Sequence, residues 1–348
     1  MISEYILFGL ILPVVILWGI RKENRLEEAQ LLDKKDTSVL RGISAFFVIA
    51  AHYTGWVEKL TGGTNAIFKG LIGQLGGIGV LIFFFVSGYG LYESYGNRKV
   101  DYRYLLKRLR GVYLPYVLMK LVLLLIEYLC HYDEIHIWKR LFGILLVEDW
   151  FIHVIVIQYL VFYVAKKISG RYVVLISILA DIGLTVIYVL QEKPIGWFNA
   201  LWLFTFGLAA SQLQPQLVNM IRKRKWLLMA GTFLLFVILG GLFAINKGAA
   251  YANVLKPLSG IFLCLFLCIV MRMVRIGNGV THWAGKRSMH LYIVHIFMWN
   301  ILAVIPDPIC RLWLAMAATV VGTELIYRGT TFICNRIIKD EVLKSEKR

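Results

Sequence analysis

Residues Gly70 to Tyr95 read GLIGQLGGIGVLIFFFVSGYGLYESY. A bilayer core needs about 20 consecutive, mostly apolar residues per helical span, and this stretch exceeds that length. Ten more stretches qualify or nearly do on either side of it. They run from about Tyr5 to Ile20, Val39 to Trp56, Gly111 to Tyr132, Asp149 to Ala165 and Tyr172 to Leu190. The others run from Trp197 to Leu213, Trp226 to Asn246, Val254 to Met271, Ser288 to Ile305 and Cys310 to Ile333. Composition agrees: 59% of the 348 residues are hydrophobic and 17% charged, against about 45–50% and about 25% in soluble domains. A soluble enzyme, a disordered chain and a fibrous chain are excluded. The expected fold is an all-α polytopic membrane bundle of about eleven helices.

The 38 Lys and Arg outnumber the 21 Asp and Glu, for a net charge of +17. In a membrane protein such an excess belongs to cytoplasmic loops rather than to a nucleic-acid partner, which is not expected. Of the 38 basic residues, 28 fall in alternate connecting segments and seven on the opposite side. That alternation predicts the N-terminus outside and the C-terminus in the cytoplasm; a plasma-membrane location is expected. The first span is followed, not preceded, by basic residues, the reverse of a secretory signal. The expected organisation is an N-terminal helix and linker over 1–37, a membrane domain over 38–338 and a cytoplasmic tail over 339–348. The segment Arg21 to Asp36, RKENRLEEAQLLDKKD, reads as an interfacial or short solvated helix in preference to a docking site. The five cysteines contain no CxxC pair and read as unpaired thiols.

Ionisable residues inside spans are the candidates for chemistry, because placing them there is costly. In VLRGISAFFVIAAHYTGW, Arg41 and His52 are separated by about 1,100° of helical rotation, roughly 20° beyond three turns, and by roughly 16 Å of rise. Both project from one face. The structural alternative is a snorkelling arginine and a histidine satisfied by a neighbouring helix. Small residues Gly76, Gly77, Gly79, Gly88 and Gly90 allow close helix approach, and Ser87 can bond across helices. YRYLLKRLRGVYLPY concentrates Arg103, Lys107, Arg108 and Arg110 beside the membrane, to hold phosphates or only to obey the positive-inside rule. His131, Asp133, Glu134 and His136 match no strong metal spacing, so a solvated loop is preferred and no metal is expected. Lys120, Glu127, Glu148, Asp149, His153 and Asp181 pair across helices or line a cavity, and the sequence does not choose. The segment KPIGWFN, Lys193 to Asn199, reads as an aromatic interface belt in preference to an acceptor contact.

Taken together these elements resemble the acyltransferase-3 family of membrane acyltransferases. The resemblance is carried by Arg41 and His52; Gly79-Val80, Phe83-Phe84 and Ser87-Gly88; and Lys107 and Arg110 before Pro115-Tyr116. Trp150-Phe151 with Tyr159, Trp197-Phe198-Asn199, Phe206-Gly207, and Ser288 with Tyr292 and His295 follow the later pattern. The resemblance covers roughly Ser38 to Ile305. Two departures stand out: Lys107 occupies the place of the first arginine of an Arg-x-x-Arg pair, and no proline follows Glu324 in a terminal Glu-x-Pro. The family core has ten spans, which makes Tyr5–Ile20 an extra helix.

The resemblance implies transfer of an acyl group, acetyl above all and not an aminoacyl group. The donor would be cytoplasmic acyl-CoA and the acceptor a hydroxyl of an extracytoplasmic carbohydrate or similar compound. Arg41, Lys107, Arg108 and Arg110 would then meet the donor, with Ser87, Trp150 and Asn199 as further binding residues. His52 would act as base, and His295 is a second candidate of equal standing with a structural role. Ser87 reads as a packing or orienting group rather than a nucleophile. A small-molecule transporter built on the same scaffold is the alternative function.

Overall fold

The computed structural model describes residues 2–62, 66–130, 136–246 and 251–337. The C-terminal tail and most of the HYDEIH stretch, including His131, Asp133 and Glu134, lie outside them. Among the described residues helices account for nearly all the regular structure, and the strands form one two-residue antiparallel ladder, Arg21–Lys22 against Val274–Arg275. Each of the eleven expected stretches lies on a helix, give or take a few residues. Seven helices among the described residues are long and apolar enough to cross a membrane, while Tyr5–Leu17 and Ser288–Val304 are shorter apolar helices. The other two stretches fall on Lys34–Thr61, which carries Arg41 and His52, and on Gly196–Gln212, which has 17 residues.

The chain forms two compact units. The first comprises Met1–Asn97 and Val174–Ser288, the second Arg98–Val173 and Met289–Arg348. In the first unit the Ala66–Tyr95 helix packs on both Lys34–Thr61 and Gly196–Gln212. Glycine makes that approach possible: a Cβ on Gly88 would come within 2.0 Å of the Phe204 carbonyl oxygen, and one on Gly207 within 2.1 Å of the Phe85 carbonyl oxygen. The Ser87-Gly88 and Phe206-Gly207 pairs are therefore two halves of one backbone-to-backbone contact, the small-residue packing that membrane helices favour. A Cβ on Gly42 would likewise come within 2.1 Å of the Thr281 carbonyl oxygen, where Lys34–Thr61 packs on the short Gly279–Lys286 helix.

The segment Arg21 to Asp36 is not the solvated helix its mixed charges imply. After the two-residue ladder it runs without regular structure to Asp33, burying Leu26, Leu31 and Leu32. Arg25 is 3% exposed and its Nη1 donates to Asp36 Oδ2 at 2.7 Å. Arg272, buried in turn, donates from Nη2 to the Leu26 and Glu28 carbonyls at 2.9 and 2.8 Å and from Nη1 to that of Gln30. Arg275 holds Glu23 at 2.7 Å and Asp33 at 3.1 Å. Asp33 and Asp36 also form the capping box that starts the Lys34–Thr61 helix. Tyr89 completes the clasp: its hydroxyl accepts from the Leu32 N–H at 3.1 Å and bonds to Gln214. An irregular strap takes the place of the helix, with carbonyls satisfied by Arg272, since arginine offers five donors in a fixed fork.

In the second unit a short helix, Tyr102–Arg108, passes through a wide turn, Leu109–Tyr113, into Leu114–Cys130. Leu114–Cys130 packs on Ile137–Leu145 and on Pro308–Ile337, and Tyr102–Arg108 on Trp150–Ile168. Cys264, Cys268, Cys310 and Cys334 are free thiols, as expected.

Candidate active site

The predicted site residues divide between the units. In the first, Arg41 and His52 ride one uninterrupted helix, both half-buried. The His52 ring lies 5.4 Å from that of Trp56, one turn further along. Ser87 Oγ donates to the Phe83 carbonyl of its own helix at 2.8 Å, which suits the packing role rather than a nucleophile. Asn199 departs from the belt reading. Lys193 does sit over the Trp197 ring at 5.0 Å, but Phe198 and Asn199 turn inward. Asn199 is 1% exposed, and neither its amide nitrogen nor its oxygen has a hydrogen-bond partner among the described residues. A buried amide in that condition is costly and calls for a functional explanation.

In the second unit the basic cluster is spread over different partners. The Arg108 guanidinium lies over the Tyr104 and Tyr159 rings, at 5.4 and 5.0 Å, and Tyr104 donates to the Tyr159 carbonyl at 3.1 Å. Arg110, inside the wide turn, donates to Asn335 Oδ1 at 2.6 Å, a partner that the sequence did not single out. Turns of this width within helices are frequent at functional sites. Lys107, Arg108 and Arg110 all remain half-buried.

Trp150, Phe151, Tyr292 and His295 are brought together. The Trp150 and Phe151 rings meet edge to face at 5.9 Å, Phe151 stacks on Tyr292 at 4.3 Å, and the Tyr292 and His295 rings are 6.1 Å apart. His295 is fully buried, with Nδ1 2.8 Å from the Leu291 carbonyl. A carbonyl only accepts, so Nδ1 carries the proton and Nε2 is the basic nitrogen of the neutral ring. A second histidine in the same helix, His290, is also buried and bonds through Nε2 to Thr330 Oγ1 at 3.0 Å.

Four residues whose role the sequence left open line one cavity of about 420 Å³, within the second unit: Lys120, Glu127, Glu148 and Asp149. Lys120 Nζ lies 2.7 Å from Asp149 Oδ2, and Tyr116 donates to the same oxygen at 3.4 Å. Arg140 pairs with Glu127 at 2.7 Å. The turn that presents Glu148 and Asp149 is strained: the β-branched Val147 sits at φ 57°, in the left-handed region. It folds the Glu148 carboxylate over Gly143, where a Cβ would come within 2.2 Å of an oxygen. Tyr116 follows Pro115 in the motif quoted above, and Asp149 directly precedes Trp150, so motif residues frame the cavity although its ion pairs do not belong to the motif. Two further charged residues in apolar helices have partners: Lys256 sits over the Phe243 ring at 5.4 Å and Arg328 bonds Glu324 at 2.6 Å. Among the described residues no group of three or more His, Cys, Asp or Glu is placed to hold a metal.

A family model for an acyltransferase domain, that of the acyltransferase-3 family, matches residues 36–328. The chain belongs to the acyltransferase-3 family. At family level it is a multi-pass membrane acyltransferase, and the glycine contact between Gly88 and Gly207 supplies a packing reason for two of the family's motifs. No curated protein and no solved structure matches the chain.

Proposed function

We propose that this acyltransferase-3 protein moves an acyl group, acetyl above all, from cytoplasmic acyl-CoA to a hydroxyl of an extracytoplasmic carbohydrate. It would do so in the plasma membrane, with its N-terminus outside and its C-terminus in the cytoplasm. Membership of the family over most of the chain carries the reading. Arg41, Lys107, Arg108 and Arg110 take the phosphates of the donor, where charge-assisted bonds are strongest. His52 accepts the proton of the acceptor hydroxyl as its oxygen attacks the thioester carbonyl. The carbon–sulfur bond breaks, the coenzyme thiolate leaves and takes up a proton, and an ester is formed. His295, with Nε2 as its basic nitrogen, is the second candidate for the base. The inward-facing Asn199 amide and Trp150 contact the substrates, and Ser87 orients its helix. No aminoacyl group is involved.

The test is mass spectrometry of surface glycans from cells with and without the protein. Ester-linked acyl groups, lost on mild alkaline treatment, are expected only where the protein is present. Identical acylation in both would remove the reading.

A further inference from the structure

We infer that the cavity in the second unit is the acceptor subsite, and that it takes a ring-shaped polyhydroxy compound without negative charge, such as a hexose or an amino sugar. This rests on the acyltransferase reading above. Its volume of about 420 Å³ lies within the range of small-molecule pockets, about 300–1,000 Å³.

Charge decides the class of ligand. The two cations of the cavity are already committed, Lys120 to Asp149 and Arg140 to Glu127, each at 2.7 Å. An incoming anion meets no spare cation, and it meets Glu148, whose carboxylate has no hydrogen bond or ion pair among the described residues. Hydroxyl groups suit both halves of this lining. Their protons go to the carboxylates of Glu148 and Asp149, and their oxygens accept from Lys120, Arg140 and the Asn300 amide.

The rest of the lining is largely apolar and includes Leu124, Ile293, Ile296 and Phe297. It offers a surface for the C–H face of a sugar ring. A fixed turn at Val147 and a glycine at Gly143 hold the Glu148 carboxylate in place before a ligand arrives, which reduces the ordering cost of binding. In the topology that the charges predict, Lys139 to Asp149 lies on the extracytoplasmic side, where the acceptor is expected. Arg110 and Lys120 share one helical run and are separated by about 15 Å of rise, so donor and acceptor contacts are offered at different depths.

The experiment uses the full chain in phosphatidylcholine nanodiscs and saturation-transfer NMR with three probes: methyl glucoside, glucuronate and glucosamine. Methyl glucoside and glucosamine are both expected to bind better than glucuronate, because the unpaired charge of the cavity is negative. Glu148→Gln is expected to weaken glucoside binding roughly tenfold or more, since a bond to a charged acceptor is lost. Ile296→Phe, which narrows the cavity from its apolar lining, weakens it independently. Coenzyme A binding is measured on each variant and stays unchanged, which reports an intact fold. Tighter binding of glucuronate than of the glucoside, no binding of the glucoside, or glucoside binding that neither substitution alters would each overturn the assignment. Acyl-CoA turnover is followed in the same preparation. Glucoside binding that both variants weaken, without any turnover, supports the cavity while removing the acyltransferase reading. Turnover with no glucoside bound does the reverse.

Discussion

His52 is the residue on which the proposed chemistry turns. A positioned base contributes roughly 10²–10⁴-fold to rate. His52→Gln keeps size and hydrogen bonding but cannot take up and return a proton near neutral pH, so turnover is expected to fall by that factor while donor binding persists. Near-normal turnover in the folded variant would make His52 structural and move the test to His295. A second residue-scale prediction concerns Glu23. The hydrogen bond from Arg275 is the main influence holding its carboxyl below the ordinary glutamate value, with burial opposing it. A depressed value means that the contribution to stability is complete above the unfolded pKa and is lost as pH falls through the folded one. The gap in thermal midpoint between the native chain and Glu23→Gln is therefore expected to close on acidification below the glutamate range. A gap that does not change with pH counts against the Arg275 contact.

At the scale of elements, the Gly88 and Gly207 contact sets how closely two helices approach. Gly88→Ala is expected to destabilise the protein by about 1–3 kcal/mol through overpacking, read as a lower melting temperature in detergent. Gly90, two residues on, faces open space, and a methyl group there would meet nothing within 4 Å. Gly90→Ala therefore serves as a control that loses nothing. Equal effects at both positions would mean that helix propensity, not contact, governs. The strap from Arg21 to Asp33 depends on Arg272 in a comparable way. Arg272→Ala leaves three carbonyls without their donor, of which the buried Leu26 carbonyl costs about 1–3 kcal/mol when left unsatisfied. Arg272→Lys does not restore it, because an ammonium lacks the planar fork. Both variants are expected to melt earlier and to be cut by protease within the strap. Full stability of the lysine variant would show that charge alone suffices.

For the molecule as a whole, the alternation of basic segments predicts its orientation. In a chain stripped of its native cysteines, Lys223→Cys is expected to react with an impermeant thiol reagent only in opened cells, and Gln191→Cys in intact ones. The opposite pattern inverts the topology and, with it, the sides assigned to donor and acceptor.

Much of this was legible in the residues. Apolar stretches long enough for a bilayer form helices wherever they occur, because a backbone in hydrocarbon must satisfy its own hydrogen bonds within the segment. Gly70–Tyr95 announces its helix without any partner. Arg41 and His52 share a face through helical geometry alone, and the family motifs are contiguous strings. Tertiary structure decided what depends on partners distant in the chain. The mixed charges of the strap suggest a solvated helix, whereas Arg25 is neutralised by Asp36 and the strap's carbonyls are met by Arg272, nearly 250 positions on. The aromatic neighbours of Asn199 suggest an interface belt, yet in the folded chain its side chain is buried. Lys120, Glu127, Glu148 and Asp149 were separate ionisable residues until folding set them around one cavity, since ion pairing follows distance in space and hydropathy follows only the order of the chain.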